Sequence, residues 1–311
     1  MKSKKGFLQE IKTSKAMFVL MLPGLLFLLV NNYIPMLGTV IAFKRITYGK
    51  NFVDTYIHSP FIGFKNFEFF MKTSYAWIIT RNTVLFNLAF IIIGLILAVA
   101  TAIALNELVS KRLFRFYQSV MIIPNFLSWV VIAVIVYAFV SDTGLVNTVL
   151  LTLGRKDPIQ FYSEPIYWIF IIVAVQTWVY LGTSALIYYS TLTGINPELY
   201  ESAKIDGAGK GRQILDITLP MLRPTIFYMV MISLGQLFVG NFGLFWNVPQ
   251  ESGPLFDVTN VIDTYVFRSL HQTGDIEMAA AASFYQSIVG FVIILVSNSI
   301  IKAISKDEAI F

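Results

Sequence analysis

Two histidines, eighteen carboxylates and no cysteine are the residues from which any catalytic or metal chemistry in this chain would have to be built. Without cysteine there is neither a disulfide framework nor a thiolate metal site. His58 and His271 fall in polar stretches far apart, where a solvated imidazole is expected rather than a proton relay, and no short Asp/Glu pair has the spacing of an acid–base or ligand set. A phosphate-binding loop requires Gly-x-x-x-x-Gly-Lys-Ser/Thr. The nearest match, Gly209-Lys210-Gly211, has Lys204 where the first glycine belongs and no hydroxyl after the lysine. The expectation is therefore no catalytic residue, no metal site and no cofactor in this chain.

The residues with a legible local design lie between Asn196 and Pro220. Asn196 is suited to cap a helix whose first position is Pro197 and whose first turn carries Glu198, where the helix dipole favours an acid. Gly207 supplies a stop, because a glycine just past a helix enters the left-handed region without a Cβ clash. A second short helix, about 210–218, places Ile214 and Ile217 on one side before Pro220 is expected to break it. Small residues at Ser202, Ala203, Gly207 and Ala208 allow another protein to approach closely. Local physics leaves two readings open, a capped surface hairpin and a docking knob that transmits force.

The elements that hold this segment are apolar. Of 311 residues, 56% are hydrophobic and 13% charged, and the mean hydropathy is +0.70, more apolar surface than one soluble core hides. Six runs between ionised residues, 16–43, 82–106, 116–141, 165–197, 224–250 and 278–301, each exceed the roughly 20 residues a bilayer requires. They are continuously apolar, as in Ile91 to Val99, without the two-residue alternation of a barrel strand. The sequence thus predicts an all-α membrane protein with spans at about 16–43, 82–106, 116–141, 165–190, 224–247 and 278–301. A basic tail 1–15, a loop 191–223 and a tail 304–311 flank them, and no appended soluble domain is expected. With both termini cytoplasmic, fourteen of the 23 Lys and Arg face inward. The outer segment holding Lys44, Arg45, Lys50, Lys65, Lys72 and Arg81 runs against that rule, although its length dilutes the effect. Trp77, Trp168 and Trp246 fall near the outer span ends, where an aromatic belt is expected.

Ion-coupled carriers usually place a titratable group inside a span, and these six contain none. A sodium site of carbonyls and neutral side chains stays open. The absence of charge otherwise points to a separate motor acting on the 191–223 loop.

That loop resembles the EAA motif of binding-protein-dependent ABC importer permeases: Glu-Ala-Ala, three residues, Gly, nine residues, Ile-x-Leu-Pro. Glu201, Ala203, Asp206, Gly207, Ala208, Ile217, Leu219 and Pro220 stand at matching positions, with Ser202 in place of the first alanine. Asn241-Phe242-Gly243, residues 261–266 and 279–283 resemble segments of carbohydrate permeases, particularly the lipoprotein-associated polysaccharide group. The resemblance implies a type I permease fold in a bacterial plasma membrane, with Glu201 to Ala208 as a coupling helix on a partner ATPase that binds ATP and Mg. Gly207 would be its bend, and Leu219-Pro220 the junction to span five. It further implies two ATPase subunits, a second and non-identical permease, and an extracellular sugar-binding lipoprotein; lipid is the remaining neighbour and no nucleic acid is involved.

Sugar recognition uses aromatic faces and neutral amides, which at mid-span are Gln176, Trp178, Tyr180, Gln236, Asn241 and Phe242, with Trp129 at similar depth. Each also suits helix–helix packing. Glu251, Asp257, Asp263, Asp275 and Glu277 are outer-loop acids, either solvated or facing the binding protein. The rival readings are a permease for a non-sugar solute and a polysaccharide-assembling membrane enzyme; the latter needs catalytic acids or a metal cluster at the membrane face, and no short Asp/Glu pair here has that spacing.

Overall fold

The computed structural model describes residues 14–304, so almost all of the two expected tails lies outside the described residues. The described residues form helices and turns without a strand, apart from an isolated bridge between Lys44 and Phe61. Six segments are long and apolar enough to cross a bilayer: Lys15–Phe43, Ser74–Asn106, Trp129–Thr152, Pro165–Leu192, Lys210–Gly235 and Ile276–Ser299. Below, the side carrying residues 191–223 is the loop side and the other the far side.

Helix α1 (Lys15–Phe43) buries no side chain over Lys15–Leu28 and packs on the bundle near its end, where Phe43 meets Phe284. On the far side, α2 (Phe52–His58) and α3 (Lys65–Lys72) cap the bundle, with Phe43, Phe64 and Phe67 in one aromatic cluster. Helix α4 (Ser74–Asn106) starts eight residues before its neutral run, since Arg81 does not end it: the guanidinium donates to the Asp257 carbonyl at 2.7 Å and to Asn82. A long arginine reaches a polar partner while its stem stays on the helix.

The third predicted span is two pieces. Helix α5 (Lys111–Ile122) and α6 (Trp129–Val140) are separated by a tight turn over Ile123–Phe126, where Pro124 has no N–H to give and Ser128 caps the restart by accepting from Val131 N–H. Helix α7 (Leu145–Thr152) is a far-side connector fixed by Asn147, which donates to Ser141 O and Ile159 O. Helix α8 (Pro165–Leu192) lies along α4 at the bundle centre, and its Gly182 meets the backbone of Met121 and Ile122 in α5 with no room for a Cβ. Apolar helices in lipid gain association free energy from such close packing, which small residues permit.

Helix α9 (Pro197–Ile205) is the first loop helix, and the second does not stop at Pro220. Helix α10 (Lys210–Gly235) runs on through that proline into the membrane. A widened turn, Ile214–Thr218, precedes it and relieves the clash its ring makes with a regular α-turn. Span five ends at Gly235, well before residue 247. Gln236–Asn241 is irregular, α11 (Phe242–Asn247) follows, and α12 (Ile262–His271) leads to α13 (Ile276–Ile304). Three apolar clusters close the bundle. Phe86, Ile132, Trp168, Ile172 and Phe245 form one, Ile79, Phe238, Ile262 and Met278 a second, and Ala98, Ala102, Tyr188, Leu192 and Leu222 a third beneath the loop.

The three tryptophans do not form one belt. Trp77 is 68% exposed, but Trp168 is buried with its ring N–H donating to Phe161 O at 2.7 Å, and Trp246 stacks on Phe242. A tryptophan without an ordered neighbour seeks the headgroup layer; one with a carbonyl in reach is a core residue.

Candidate functional site

The loop knob is built by capping at both ends. Asn196 Oδ1 accepts from Glu198 N–H at 3.1 Å, and Ser202 Oγ donates to Glu198 O at 3.0 Å. At the other end Gly207 has φ +81°, its N–H reaches Lys204 O at 3.1 Å, and the Ala208 N–H reaches back to Ala203 O at 2.8 Å. That reciprocal pair is the Schellman arrangement, which requires the left-handed residue. Buried Gln213 donates to Ala208 O at 2.8 Å, and Tyr200 OH lies 3.1 Å from Thr218 Oγ1, so the first helix is tied to the second. Lys210 pairs with Glu107 at the end of α4 at 2.5 Å.

Glu201, Ser202, Asp206 and Gly207 are exposed, and Ala203 and Ala208 half-buried. Ala203, Asp206, Gly207 and Ala208 line a shallow recess of about 320 Å3 together with Arg212 and Asp216. Leu219 packs into the cluster beneath, while Pro220 is exposed. Ile205, which no sequence motif marks, is 87% exposed at the tip.

The mid-span residues divide into two groups. Gln176, Tyr180, Gln236 and Asn241 line one cleft of about 400 Å3 between α4, α8 and the irregular stretch after α10. Gln176 and Tyr180 sit four residues apart on one face of α8, and Ser184 continues that face. Asn241 donates to Gln176 Oε1 at 3.1 Å and caps α11 by accepting from Leu244 N–H at 3.2 Å. Asn87, missed by the sequence reading because nothing in its neutral run marks it, donates to Leu237 O and Val239 O and so holds the irregular backbone open. Ser233 completes the wall. Trp178 lies apart from these: it is 42% exposed on a groove with Ile135, Phe139 and Ile171. Phe242 is also outside the cleft, against Trp246 and Phe267. Trp129 lies 6.5 Å from Tyr180 between ring centroids.

The far-side acids are mostly neither solvated nor free. Glu251 pairs with Arg268 at 3.1 Å, Glu277 Oε1 accepts from Ile46 N–H at 2.7 Å, and Asp275 accepts from Met278 N–H at 2.8 Å. Asp263 accepts from Gly240 N–H at 2.5 Å and from Gln286 at 3.1 Å. Burial pushes the Glu251 and Asp263 carboxyls up, opposed at Glu251 by Arg268 and at Asp263 by those hydrogen bonds. Among the described residues no three His, Cys, Asp or Glu side chains converge as metal ligands.

These features have counterparts among known proteins. A family model described as the binding-protein-dependent transport system inner membrane component matches residues 90–308. Protein LplB of Bacillus subtilis (strain 168) is 28% identical over 304 residues, covering 97% of this chain and 93% of its own length. The polygalacturonan/rhamnogalacturonan transport system permease protein YteP of the same organism is 27% identical over 306 residues, covering 98% and 93%. Among solved structures, a chain of a bacterial ABC transporter involved in import of the acidic polysaccharide alginate aligns with a TM-score of 0.86 at 28% identity, over 97% of this chain and 100% of that one. A bacterial alginate ABC transporter in complex with an alginate pentasaccharide-bound periplasmic protein also contains a similar chain, at a TM-score of 0.85. With six membrane-length helices and a family match over most of its length, this chain belongs to the binding-protein-dependent transport system inner membrane components, the permeases of bacterial ABC importers.

Proposed function

We propose that this permease imports a sugar or oligosaccharide delivered by an extracellular binding protein, and that it is driven by ATPase subunits docked on the 197–220 knob. The observation that carries the motor half is the rigid, exposed turn at Gly207, braced through Gln213 onto a helix that continues unbroken into the membrane. Movement imposed on Glu201 to Ala208 is thereby passed along α10 to the cleft, whose wall begins at Ser233 near that helix's end. The cargo half is supported by a cleft of neutral amides, hydroxyls and two aromatic side chains, Phe90 and Tyr180, a composition that suits hydroxyl-rich ligands held with modest affinity. The polysaccharide importers among its relatives point the same way.

In this reading both termini and the knob are cytoplasmic, and Leu219-Pro220 is the junction returning force to the membrane. A second, non-identical permease completes the path, and two ATPases hydrolyse ATP with Mg while this chain binds neither. The binding protein is a lipoprotein. Helix α1, with no buried side chain over its first half, is available to that second permease and to lipid. Purifying the assembly through a tag on this chain, identifying its companions and scoring solutes for stimulated ATP hydrolysis is the deciding experiment. Stimulation by oligosaccharides supports the reading, and stimulation only by another class of solute refutes the cargo.

A further inference from the structure

The cleft has an electrostatic character that composition alone conceals. Its lining includes Asn87, Gln176, Tyr180, Ser184, Ser233 and Gln236, and no Lys, Arg or His takes part. Deeper in, the Thr177 hydroxyl has no hydrogen-bond partner among the described residues. A negative charge stands directly behind the wall. Gly240 forms part of the cleft, and its N–H donates to Asp263 Oδ2 behind it at 2.5 Å; Gln286 donates to the same oxygen at 3.1 Å. Two donors on one oxygen suit an ionised carboxylate. The approach is so close that a Cβ at Gly240 would stand 2.5 Å from that oxygen.

An anionic ligand entering here would lose hydration without gaining a cation, and would meet a second carboxylate through one layer of backbone. Burying an unpaired charge is costly, and a like charge nearby adds to the cost. A neutral pyranose has no charge to strand, and the amides and hydroxyls of the cleft offer hydrogen bonds in place of its water.

We infer that this cleft selects uncharged saccharides over acidic ones, with Asp263 behind the Gly240 wall setting the preference, a reading that rests on the sugar cargo proposed above. It runs counter to simple likeness, because the relatives named above include importers of alginate and polygalacturonan.

The test uses the whole assembly in proteoliposomes with its binding protein. Oligogalactosides and oligogalacturonates of equal length differ only in the carboxylate at C6. The affinity of the binding protein for each is measured by calorimetry, and ATPase stimulation is compared at equal loading. At least tenfold stronger stimulation by the neutral sugar is expected. Equal or stronger stimulation by the uronate, or a binding protein that holds only uronates, overturns the inference while leaving sugar import intact. Stimulation by neither sugar but by another solute class sinks the cargo assignment itself. Asp263→Asn keeps an acceptor for Gly240, and Ser233→Lys places a cation on the cleft wall without changing the Gly240–Asp263 contact. Each should raise the uronate-to-neutral ratio at least threefold, and an unchanged ratio in both overturns the electrostatic origin.

Discussion

The side-chain amide of Asn241 donates to Gln176 Oε1 at 3.1 Å, joining the irregular stretch after α10 to the middle of α8, while its carbonyl caps α11. One residue therefore serves the cleft and the helix beyond it, and two substitutions separate the roles. Asn241→Asp keeps the capping acceptor but cannot donate to Gln176. Asn241→Ala loses both. The alanine variant should lower stability by about 1 kcal/mol through the lost cap, and the aspartate variant by less. Both should slow uptake. Thermal unfolding of the purified complex together with vesicle uptake checks this; equal stability loss in the two variants would refute the capping role.

Gly207 offers a sharper test of the knob. Its φ of +81° disfavours any L-residue, yet a Cβ there would meet nothing within 4 Å, so a substitution is penalised by the backbone alone. Leucine should cost about 1–2 kcal/mol and loosen the turn, whereas asparagine, which enters the left-handed region more readily, should cost less. Gly207→Leu is expected to uncouple ATP hydrolysis from transport with membrane insertion intact, and Gly207→Asn to retain most coupling. Normal uptake by the leucine variant would remove the knob from the mechanism.

How much of this was legible in the sequence follows from range. Asn196, Gly207 and the apolar runs act locally, so capping, turn and six spans could be read from neighbours along the chain. Pro220 misled because its effect depends on the five residues before it, which widen the turn instead of ending the helix. Trp168 misled because its partner, Phe161 O, lies on a turn that only the fold brings near. The cleft was half legible: Gln176 and Tyr180 share a helical face, but Asn87 joins them from a distant helix, and Trp178, two residues from Gln176, points elsewhere. The far-side acids were hardest, because their donors at Ile46, Gly240 and Arg268 are set by tertiary packing.

Gly182 carries a prediction about assembly rather than transport. Its missing side chain lets the Met121 carbonyl of α5 rest on α8, and rigid backbone cannot swing aside as a flexible side chain would. Gly182→Ala should therefore cost about 1–3 kcal/mol, the usual range for overpacking, and Gly182→Val more. A graded fall in the melting temperature of the purified complex, with alanine between wild type and valine, is the expected result. No change in either variant would mean that α5 moves freely against α8.

The Glu251–Arg268 pair gives stability a pH dependence. Both side chains are mostly buried, 23% and 17% exposed, and the guanidinium lies 4.1 Å over the Phe256 ring. Burial raises the Glu251 carboxyl above its ordinary value, and Arg268 opposes it through its charge and hydrogen bonds. Because the folded state then holds its proton to higher pH than the unfolded chain, this group favours folding most below the ordinary glutamate value. That contribution is lost as pH rises to the higher folded value. Arg268→Ala removes the opposing cation, moves the folded value further up and extends the window toward neutrality. The variant should lose about 1.5–3 kcal/mol near pH 8, in the range for hydrogen bonds to a charged group, and less near pH 5. Arg268→Lys should restore only part, since an ammonium neither forks onto a carboxylate nor stacks on Phe256. Melting temperatures at the two pH values decide the matter: a loss for Arg268→Ala that is the same at both would show that the pair contributes through packing and not through charge.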